Sequence, residues 1–96
     1  MLFVIHVLDK DDGFAKRMEH YPAHKAYLAD ATKLGVTIVM SGPLMKDDGE
    51  TPVGSHFVIE VPDRKTAENF HKNDPFYKAG VWAPATVTAF VKRQGK

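Results

Sequence analysis

The chain contains no cysteine, so it can form no disulfide, perform no thiol catalysis and bind no metal through thiolate ligands. It also has no long apolar run: the longest, Met1 to Ile5, has five residues, whereas a bilayer-spanning helix needs roughly 20. No basic segment and no cleavage site of the secretory kind precede the first charged residue, Asp9. From these absences we expect a cytoplasmic protein without a membrane partner.

An excess of charge of one sign is missing as well. Thirteen Lys and Arg residues balance twelve Asp and Glu residues, which leaves a formal charge of +1, and the charges are scattered along the chain. A nucleic-acid-binding surface collects its basic residues in a patch or stripe, so we expect no nucleic-acid partner. Glycine-rich phosphate loops, the Walker motif and Gly-x-Ser-x-Gly are absent too, which leaves nucleotide-dependent and serine-hydrolase chemistry without support.

The composition is that of a folded protein, because 44% of the 96 residues are apolar and 26% are charged. This length suits one small domain, which we expect to span residues 1–96. A domain of this size buries only about 60–65% of the surface that its unfolded chain exposes. Burial against a second copy would add stability, so we expect a homodimer.

The first half of the chain predicts two strands and a helix. Leu2–Leu8 is apolar and rich in β-branched residues, as expected for an inner strand. Helical spacing follows from Phe14 to Leu34, but a proline inside a helix removes a hydrogen bond. We therefore predict a short turn and then a helix that begins near Pro22, since the first helical turn tolerates proline. Val36–Met40 is the predicted second strand, which Ser41-Gly42-Pro43 should end.

The second half predicts a hairpin strand, a helix and a final strand. Turn-forming residues fill Lys46–Pro52, and Ser55–Val61 after them is the third strand. Asp63 has the position of an N-cap for a second helix that reaches His71. Ala85–Val91 alternates as a strand does and closes the order β-α-β-β-α-β. This order predicts an α+β sandwich of the ferredoxin-like kind, an antiparallel sheet with both helices on one face.

The predicted strands are apolar on both faces, whereas the helices cover only one of them. The apolar residues that point away from the predicted core include Leu2, Val4, Val39, Val58 and Phe90. A second subunit that offers the same face would cover them. The sequence therefore predicts that the homodimer forms through the sheet face.

His24 and Asp74 are the first candidates for chemistry. His24 shares a helical stripe with Tyr21 and Leu28, so its ring points toward the sheet or toward a pocket beside it. Such a histidine serves either as a general acid–base or as a core residue satisfied by one hydrogen bond. Asp74 precedes Pro75 and either caps the turn that follows or, if it faces His24, orients the imidazole.

Arg17 and two serines are the candidates for substrate binding. Arg17 lies seven residues before His24 and could receive a carboxylate or phenolate, although a solvated surface arginine fits the sequence equally well. Ser41 and Ser55 come near the ends of adjacent strands. Their hydroxyls either donate to the rim of a pocket or make local turn and strand-end hydrogen bonds.

The histidine spacing gives little support for a metal site. His20 and His24 form the only i,i+4 pair, Pro22 interrupts it, and the glutamate of a zinc-protease helix is missing. We therefore expect neither a metal nor a cofactor. The alternative is a haem- or metal-dependent barrel, for which His6, His20 and His56 are the spare ligands.

Several short motifs of the chain match those of one known family and occur in the same order. They are Arg17, Pro22-Ala23-His24, Tyr27-Leu28, Gly35, Ser41-Gly42-Pro43-Leu44, Gly54-Ser55, Asp74-Pro75-Phe76 and Ala79-Gly80-Val81. With them the whole chain resembles the YCII-related (YciI-like) family. The resemblance implies a ferredoxin-like fold that dimerises through its sheets into an α/β barrel, and a site around a His–Asp pair that falls here on His24 and Asp74. Ser41 and Ser55 match family positions near that pocket.

One departure from the family bears on the substrate. Many relatives have an arginine just before Pro-Ala-His, where this chain has Tyr21, which supplies no positive charge. Tyr21 then contributes to the substrate pocket as a neutral group, and anion binding rests on Arg17. Some relatives are dehydrochlorinases that act on chlorinated hydroxylated aromatics, and others in the wider barrel group are oxygenases or isomerases.

These observations predict a small metal-free acid–base enzyme of the lyase or isomerase type that acts on a small anionic, possibly aromatic molecule. The expected roles are proton transfer by His24, orientation by Asp74, anion binding by Arg17 and oxyanion stabilisation by Ser41 or Ser55. The alternative is a non-catalytic module in which the dimeric barrel binds a small molecule or serves an assembly.

Overall fold

Four strands form one antiparallel sheet, and three helices pack against it. The structure is a computed structural model and describes residues 1–96. The elements are β1 Leu2–Leu8, α1 Gly13–Ala29, a 3₁₀ turn Ala31–Leu34, β2 Thr37–Met45, β3 Pro52–Glu60, α2 Arg64–Lys72, α3 Pro75–Lys78 and β4 Thr86–Phe90. The predicted β-α-β-β-α-β order is confirmed, with the short helix α3 as an addition before the last strand.

The strands lie in the order β2-β3-β1-β4, and every neighbouring pair is antiparallel. The order matches the split arrangement of the ferredoxin-like fold, because β3 lies between the two strands that α1 connects. Alternate residues of β1, namely Phe3, Ile5 and Val7, face the helices and are almost completely buried. Phe57 and Ile59 of β3 continue this core. The predicted ferredoxin-like α+β class is confirmed.

The prediction that the first helix begins near Pro22 is wrong. Helix α1 starts at Gly13 and runs through Pro22 to Ala29. Proline cannot donate to the carbonyl four residues earlier, which here is that of Met18. Pro22 and Met18 both lie on the exposed side of the helix, where water can bond that carbonyl instead. The interruption therefore costs less than it would on the packed side.

The prediction that Ser41-Gly42-Pro43 ends the second strand is also wrong. Strand β2 continues to Met45, and Pro43 pairs with Ser55 of β3. Because β2 is an edge strand, one row of its backbone groups has no strand partner, and a proline nitrogen in that row removes no ladder bond. The turn between β2 and β3 is accordingly shorter than predicted, and β3 begins at Pro52 rather than at Ser55.

Aspartates begin both helices of the second half. The Asp63 carboxylate accepts a 2.8 Å hydrogen bond from the Thr66 N–H at the start of α2, so the predicted N-cap is confirmed. Asp74 caps α3 in the same way, since its Oδ1 accepts from the Phe76 N–H at 2.9 Å. This second cap places a carboxylate at the inner end of a short helix.

The sheet face opposite the helices is uncovered. Leu8, Met40 and Phe90 expose 51%, 60% and 42% of their surface there. Val58, which the sequence also assigns to this face, is already buried within the chain, and Val39 falls at a β-bulge of β2. As for the helices, none of them has both the length and the apolar content that crossing a membrane would require.

Candidate active site

His24 and Asp74 meet in the structure, although 50 positions separate them in the chain. His24 lies in the second half of α1, and Asp74 is the residue that caps α3. The His24 Nδ1 atom is 2.8 Å from Asp74 Oδ1 and 3.0 Å from Oδ2. The His24 and Asp74 side chains are only 9% and 1% exposed, so the contact is almost free of solvent.

The contact with Asp74 determines which ring nitrogen of His24 carries the hydrogen. An ionised carboxylate only accepts hydrogen bonds, so Nδ1 of His24 must carry a hydrogen and donate it to Asp74. No group in the chain bonds Nε2, which is therefore free to accept or to release a proton. In catalytic histidines that an aspartate orients, the carboxylate likewise accepts a hydrogen bond from one ring nitrogen and the second nitrogen is free.

Aromatic rings hold the imidazole in place. Phe76 stacks on His24 with ring centroids 3.9 Å apart and an interplanar angle of 6°. Phe57 and Trp82 approach its edge at 6.3 and 6.1 Å. The same turn of chain therefore supplies both the carboxylate and the stacking ring, because Phe76 follows Asp74 by two residues.

Arg17 is buried and already paired within the chain. Its Nε and Nη2 atoms donate to the two oxygens of Asp9 at 2.8 and 2.7 Å, a bidentate pair in which both side chains are less than 10% exposed. Nη2 also donates to Ser55 Oγ at 2.9 Å, and the guanidinium lies 4.8 Å from the Phe76 ring centroid. The positive charge that the sequence analysis assigned to a substrate anion thus has a permanent partner, and Nη1 alone makes no hydrogen bond in the chain.

Ser55 joins the arginine to the only tryptophan. Its Oγ accepts from Arg17 and, at 3.3 Å, from Trp82 Nε1, which leaves the hydroxyl hydrogen free to donate. Asp9 and Trp82 also form an isolated backbone bridge. The Asp9, Arg17, Ser55 and Trp82 side chains are therefore connected by hydrogen bonds into one polar group.

A cleft of about 290 Å³ opens between α1 and the adjacent ends of β2 and β3. Its lining residues are Arg17, Tyr21, His24, Lys25, Leu28, Ser41, Gly42, Pro43, Ser55 and Phe57. All the site candidates named from the sequence line this cleft except Asp74, which lies behind His24. Tyr21 and Ser41 are exposed at its rim, whereas Ser55 is buried at its base.

Three residues of this region were missed in the sequence analysis. Asp9 belongs to a run of turn-forming residues, and no spacing rule connects it with Arg17. Lys25 follows His24 directly. Because consecutive helical residues point about 100° apart, Lys25 does not belong to the helical stripe of Tyr21, His24 and Leu28, and the spacing did not select it. Trp82 carries one signal that could have been used, since it is the only tryptophan of the chain.

Ionisable groups beside the pair are shifted by the same surroundings. Burial, reinforced by the negative charge of Asp74, raises the pKa of Tyr27 to about 12. Burial lowers the pKa of His71, against the smaller attraction of Asp74. Tyr27 donates to the Phe70 carbonyl at 2.9 Å and thereby ties α1 to α2.

Two other kinds of site are less well supported by the structure. No three His, Asp or Glu side chains come together as a metal ion would require. A larger groove of about 880 Å³ runs between the helices and is lined by Tyr27, Asn69 and Asn73 among others, but neither His24 nor Asp74 reaches it. The smaller cleft is the better candidate because His24, which pairs with the buried Asp74 carboxylate, lines it.

The fold and the site define a class: a ferredoxin-like α+β protein with a buried His–Asp pair beside a cleft between helix and sheet. A model of the YCII-related domain matches residues 1–91, and the chain belongs to this family. Protein YciI of Escherichia coli O6:H1 is 32% identical over 97 residues, which cover 96% of this chain and 98% of that protein. Protein YciI of Shigella flexneri gives the same values. The family identified from the sequence motifs is confirmed.

A solved structure extends the comparison. The 5-chloro-2-hydroxyhydroquinone dehydrochlorinase TftG from Burkholderia phenoliruptrix AC1100, in complex with 2,5-dihydroxybenzoquinone, superimposes with a TM-score of 0.83. It is 30% identical, and the match covers 95% of this chain and 94% of that chain. The chain is therefore similar over nearly its whole length to an enzyme with a small-molecule ligand.

Proposed function

We propose that this protein is a metal-free acid–base enzyme that eliminates a leaving group such as chloride from a small hydroxylated ring. The observation that carries the proposal is the buried Asp74 carboxylate 2.8 Å from His24 Nδ1, with the imidazole on the wall of a cleft. The similarity to TftG, a dehydrochlorinase bound to a dihydroxybenzoquinone, supports this choice among the reactions open to a general base.

In this proposal Nε2 of His24 takes the proton of a ring hydroxyl and delivers it to the carbon that bears chlorine, which turns the hydroxyl into a carbonyl and gives a keto tautomer with a tetrahedral C–Cl carbon. Nε2 then takes the proton of the second hydroxyl, the O–H electron pair forms the second carbonyl, the ring double bond shifts, and chloride leaves with the electrons of the C–Cl bond to give a quinone. Asp74 stabilises the imidazolium that results, because its carboxylate faces the protonated ring at Nδ1. One proton and one chloride leave together, so the step needs neither an oxidant nor a reductant.

The base of the cleft offers donors for a developing oxyanion. Ser55 has a free hydroxyl hydrogen, and its oxygen is held by Arg17 and Trp82, so the hydroxyl is fixed before the substrate arrives. Ser41 lies across the cleft on β2 and is free to donate from its rim. We propose Ser55 for the oxyanion and Ser41 for a substrate hydroxyl.

We also propose that two copies pair through the open sheet face. With neutral histidines, Glu60 is the only charged residue among the paired strand positions of this face. An apolar, nearly uncharged patch is complementary to itself when a two-fold axis brings two copies together. The cleft lies on the other side of the sheet, so this pairing leaves it accessible.

Chloride release from chlorinated hydroquinones tests the enzymatic proposal. Wild type should release chloride, and His24→Asn should lower kcat/KM by at least about a hundredfold, the usual share of a general acid–base. His20→Asn is the matched control, since His20 lies on the same helix, is half exposed and does not line the cleft. It should keep the wild-type rate.

Two results would contradict the proposal. The first is a His24→Asn variant that releases chloride at the wild-type rate, because His24 would then not be the base. The second is a wild type that binds hydroxylated rings but turns over none of them, with the affinity unchanged in His24→Asn. That second pattern would identify a non-catalytic binding module.

A further inference from the structure

Lys25 is the only unpaired cation that lines the cleft. It lies next to His24 on α1, its side chain is exposed, and it makes neither an ion pair nor a hydrogen bond within the chain. The other cationic side chain of the lining, Arg17, has Asp9 as a bidentate partner. The charge of Lys25 is thus available to a ligand, whereas the charge of Arg17 is already balanced.

The charges around the cleft explain why this matters. Arg17 and Asp9 cancel each other, and Asp74 adds a buried negative charge behind His24. If His24 is neutral, as a base must be before it acts, the region without Lys25 carries a net negative charge. An anionic ligand would then enter against repulsion in a partly dry site, where charges are weakly screened. Lys25 offsets this negative charge.

We propose that Lys25 is the specificity-determining residue of the site and that it binds an acidic oxygen of an anionic ring substrate. This inference rests on the proposed function only in taking the His24 cleft as the substrate site. A cleft of about 290 Å³ accommodates one six-membered ring with its oxygen substituents. The substrate class is therefore a single ring with an ionised hydroxyl or carboxyl group, and neutral rings of the same size bind less well.

The position of Lys25 also fits the geometry of the reaction. Residues 24 and 25 both line the cleft, and consecutive helical side chains point about 100° apart, so the imidazole and the ammonium group would contact different sides of a bound ring. The anionic oxygen that binds Lys25 then lies on the rim side of the ring, while the opposite edge points toward Ser55 at the base of the cleft. One substrate orientation relative to His24 results.

Calorimetric titration with 2,5-dihydroxybenzoquinone tests the inference without any turnover. This ring is the ligand of the TftG complex, and its two hydroxyl groups are vinylogous acids that are ionised at neutral pH. Replacing an ammonium–anion hydrogen bond should weaken binding by about tenfold to a hundredfold in Lys25→Met. Lys25→Arg keeps the charge and should bind within a few-fold of wild type.

Two controls isolate the charge of Lys25. Lys33→Met removes an exposed lysine that pairs with Asp30 away from the cleft, and it should leave the affinity unchanged. Hydroquinone has the same ring without ionised oxygens, so its affinity should be equal in wild type and Lys25→Met. Added salt should weaken dihydroxybenzoquinone binding to wild type more than to Lys25→Met, because salt screens the ion pair.

The inference is overturned if Lys25→Met binds dihydroxybenzoquinone as tightly as wild type does. It is also overturned if wild type binds neither this anion nor any other ionised ring. Failure of the proposed function gives a different pattern, because a protein that never releases chloride can still lose anion affinity on Lys25→Met. In that case Lys25 remains the anion-binding residue of a binding module.

Discussion

Asp74 determines which nitrogen of His24 carries the proton, so its replacement should change the chemistry more than the fold. In Asp74→Asn the side chain still caps α3, but its amide can donate to Nδ1 and shift the His24 proton to Nε2. A base that is already protonated at Nε2 cannot accept a proton there. We expect kcat/KM for chloride release to fall by at least about a hundredfold.

The measurement for Asp74→Asn has a spectroscopic part besides the kinetics. Nitrogen chemical shifts of the His24 ring report which atom is protonated, and they should change in Asp74→Asn. Asp63→Asn is the matched control, because it makes the same substitution at the N-cap of α2, far from His24. If Asp74→Asn keeps both the shifts and the rate, Asp74 serves only as a helix cap.

Residue types and order were enough to choose His24 and Asp74 as candidates, but not to predict their contact. Asp74 caps α3 whether or not it faces His24, so the sequence pattern that predicts the cap does not predict the contact between Asp74 and His24. The ion pair of Arg17 was unpredictable for a similar reason. Asp9 lies in a turn-forming run after β1, and only the three-dimensional path of that turn brings it to Arg17.

Between elements, the hydroxyl of Tyr27 links α1 to α2 by a hydrogen bond, beside the stacking of its ring on Phe70. Tyr27→Phe removes its hydrogen bond to the Phe70 carbonyl and should lower the free energy of unfolding by about 0.5–1.5 kcal/mol at neutral pH. Because folding raises the pKa of Tyr27 from 10.0 to about 12, its contribution is complete below pH 10 and is lost as pH rises through 12. Urea unfolding across this range should therefore show a smaller alkaline loss in Tyr27→Phe.

Tyr77→Phe is the matched control for Tyr27→Phe. Tyr77 is 45% exposed and its hydroxyl makes no hydrogen bond in the chain. This variant should keep both the neutral stability and the alkaline loss of wild type. An equal alkaline loss in Tyr27→Phe and wild type would assign the alkaline transition to another group and contradict the prediction.

Two errors of the sequence analysis at the scale of elements concern proline. From the sequence alone, Pro22 was interpreted as the start of a helix and Pro43 as the end of a strand. Both interpretations assume that the backbone hydrogen bond that proline lacks would otherwise have been formed. The cost depends on where that bond would have been. Pro22 faces solvent on α1 and Pro43 lies on an edge strand, and neither position is known before the tertiary fold is.

For the molecule as a whole, the open sheet face predicts a dimer. A single charged residue introduced on that face should prevent the dimer from forming. Met40 lies on this face opposite Val58 and is 60% exposed, so Met40→Lys should leave the monomer folded. In a face-to-face dimer the lysine would be buried without a partner at a high cost. We expect wild type to sediment as a dimer of the 10.7 kDa chain and Met40→Lys to sediment as a monomer.

Met18→Lys provides the control, since Met18 is 49% exposed on α1, on the helix side of the sheet and not on its open face. It should sediment like wild type. A monomeric wild type would refute the pairing, and so would a Met40→Lys variant that stays dimeric. Sequence reasoning could reach this prediction because alternation within strands reveals a second apolar face even before the helices are placed.

Trp82, the only tryptophan of the chain, lies next to the candidate site and contacts both His24 and Ser55. The Trp82 indole stacks on His71 at 5.0 Å, makes a T-shaped contact with His24 and donates a hydrogen bond to Ser55. Under excitation that is selective for tryptophan, the emission comes from one indole with a histidine ring on either side, and an imidazolium quenches indole emission on contact. The intact wild-type protein thus carries its own optical reporter of events at the His–Asp pair, without a dye or an introduced label.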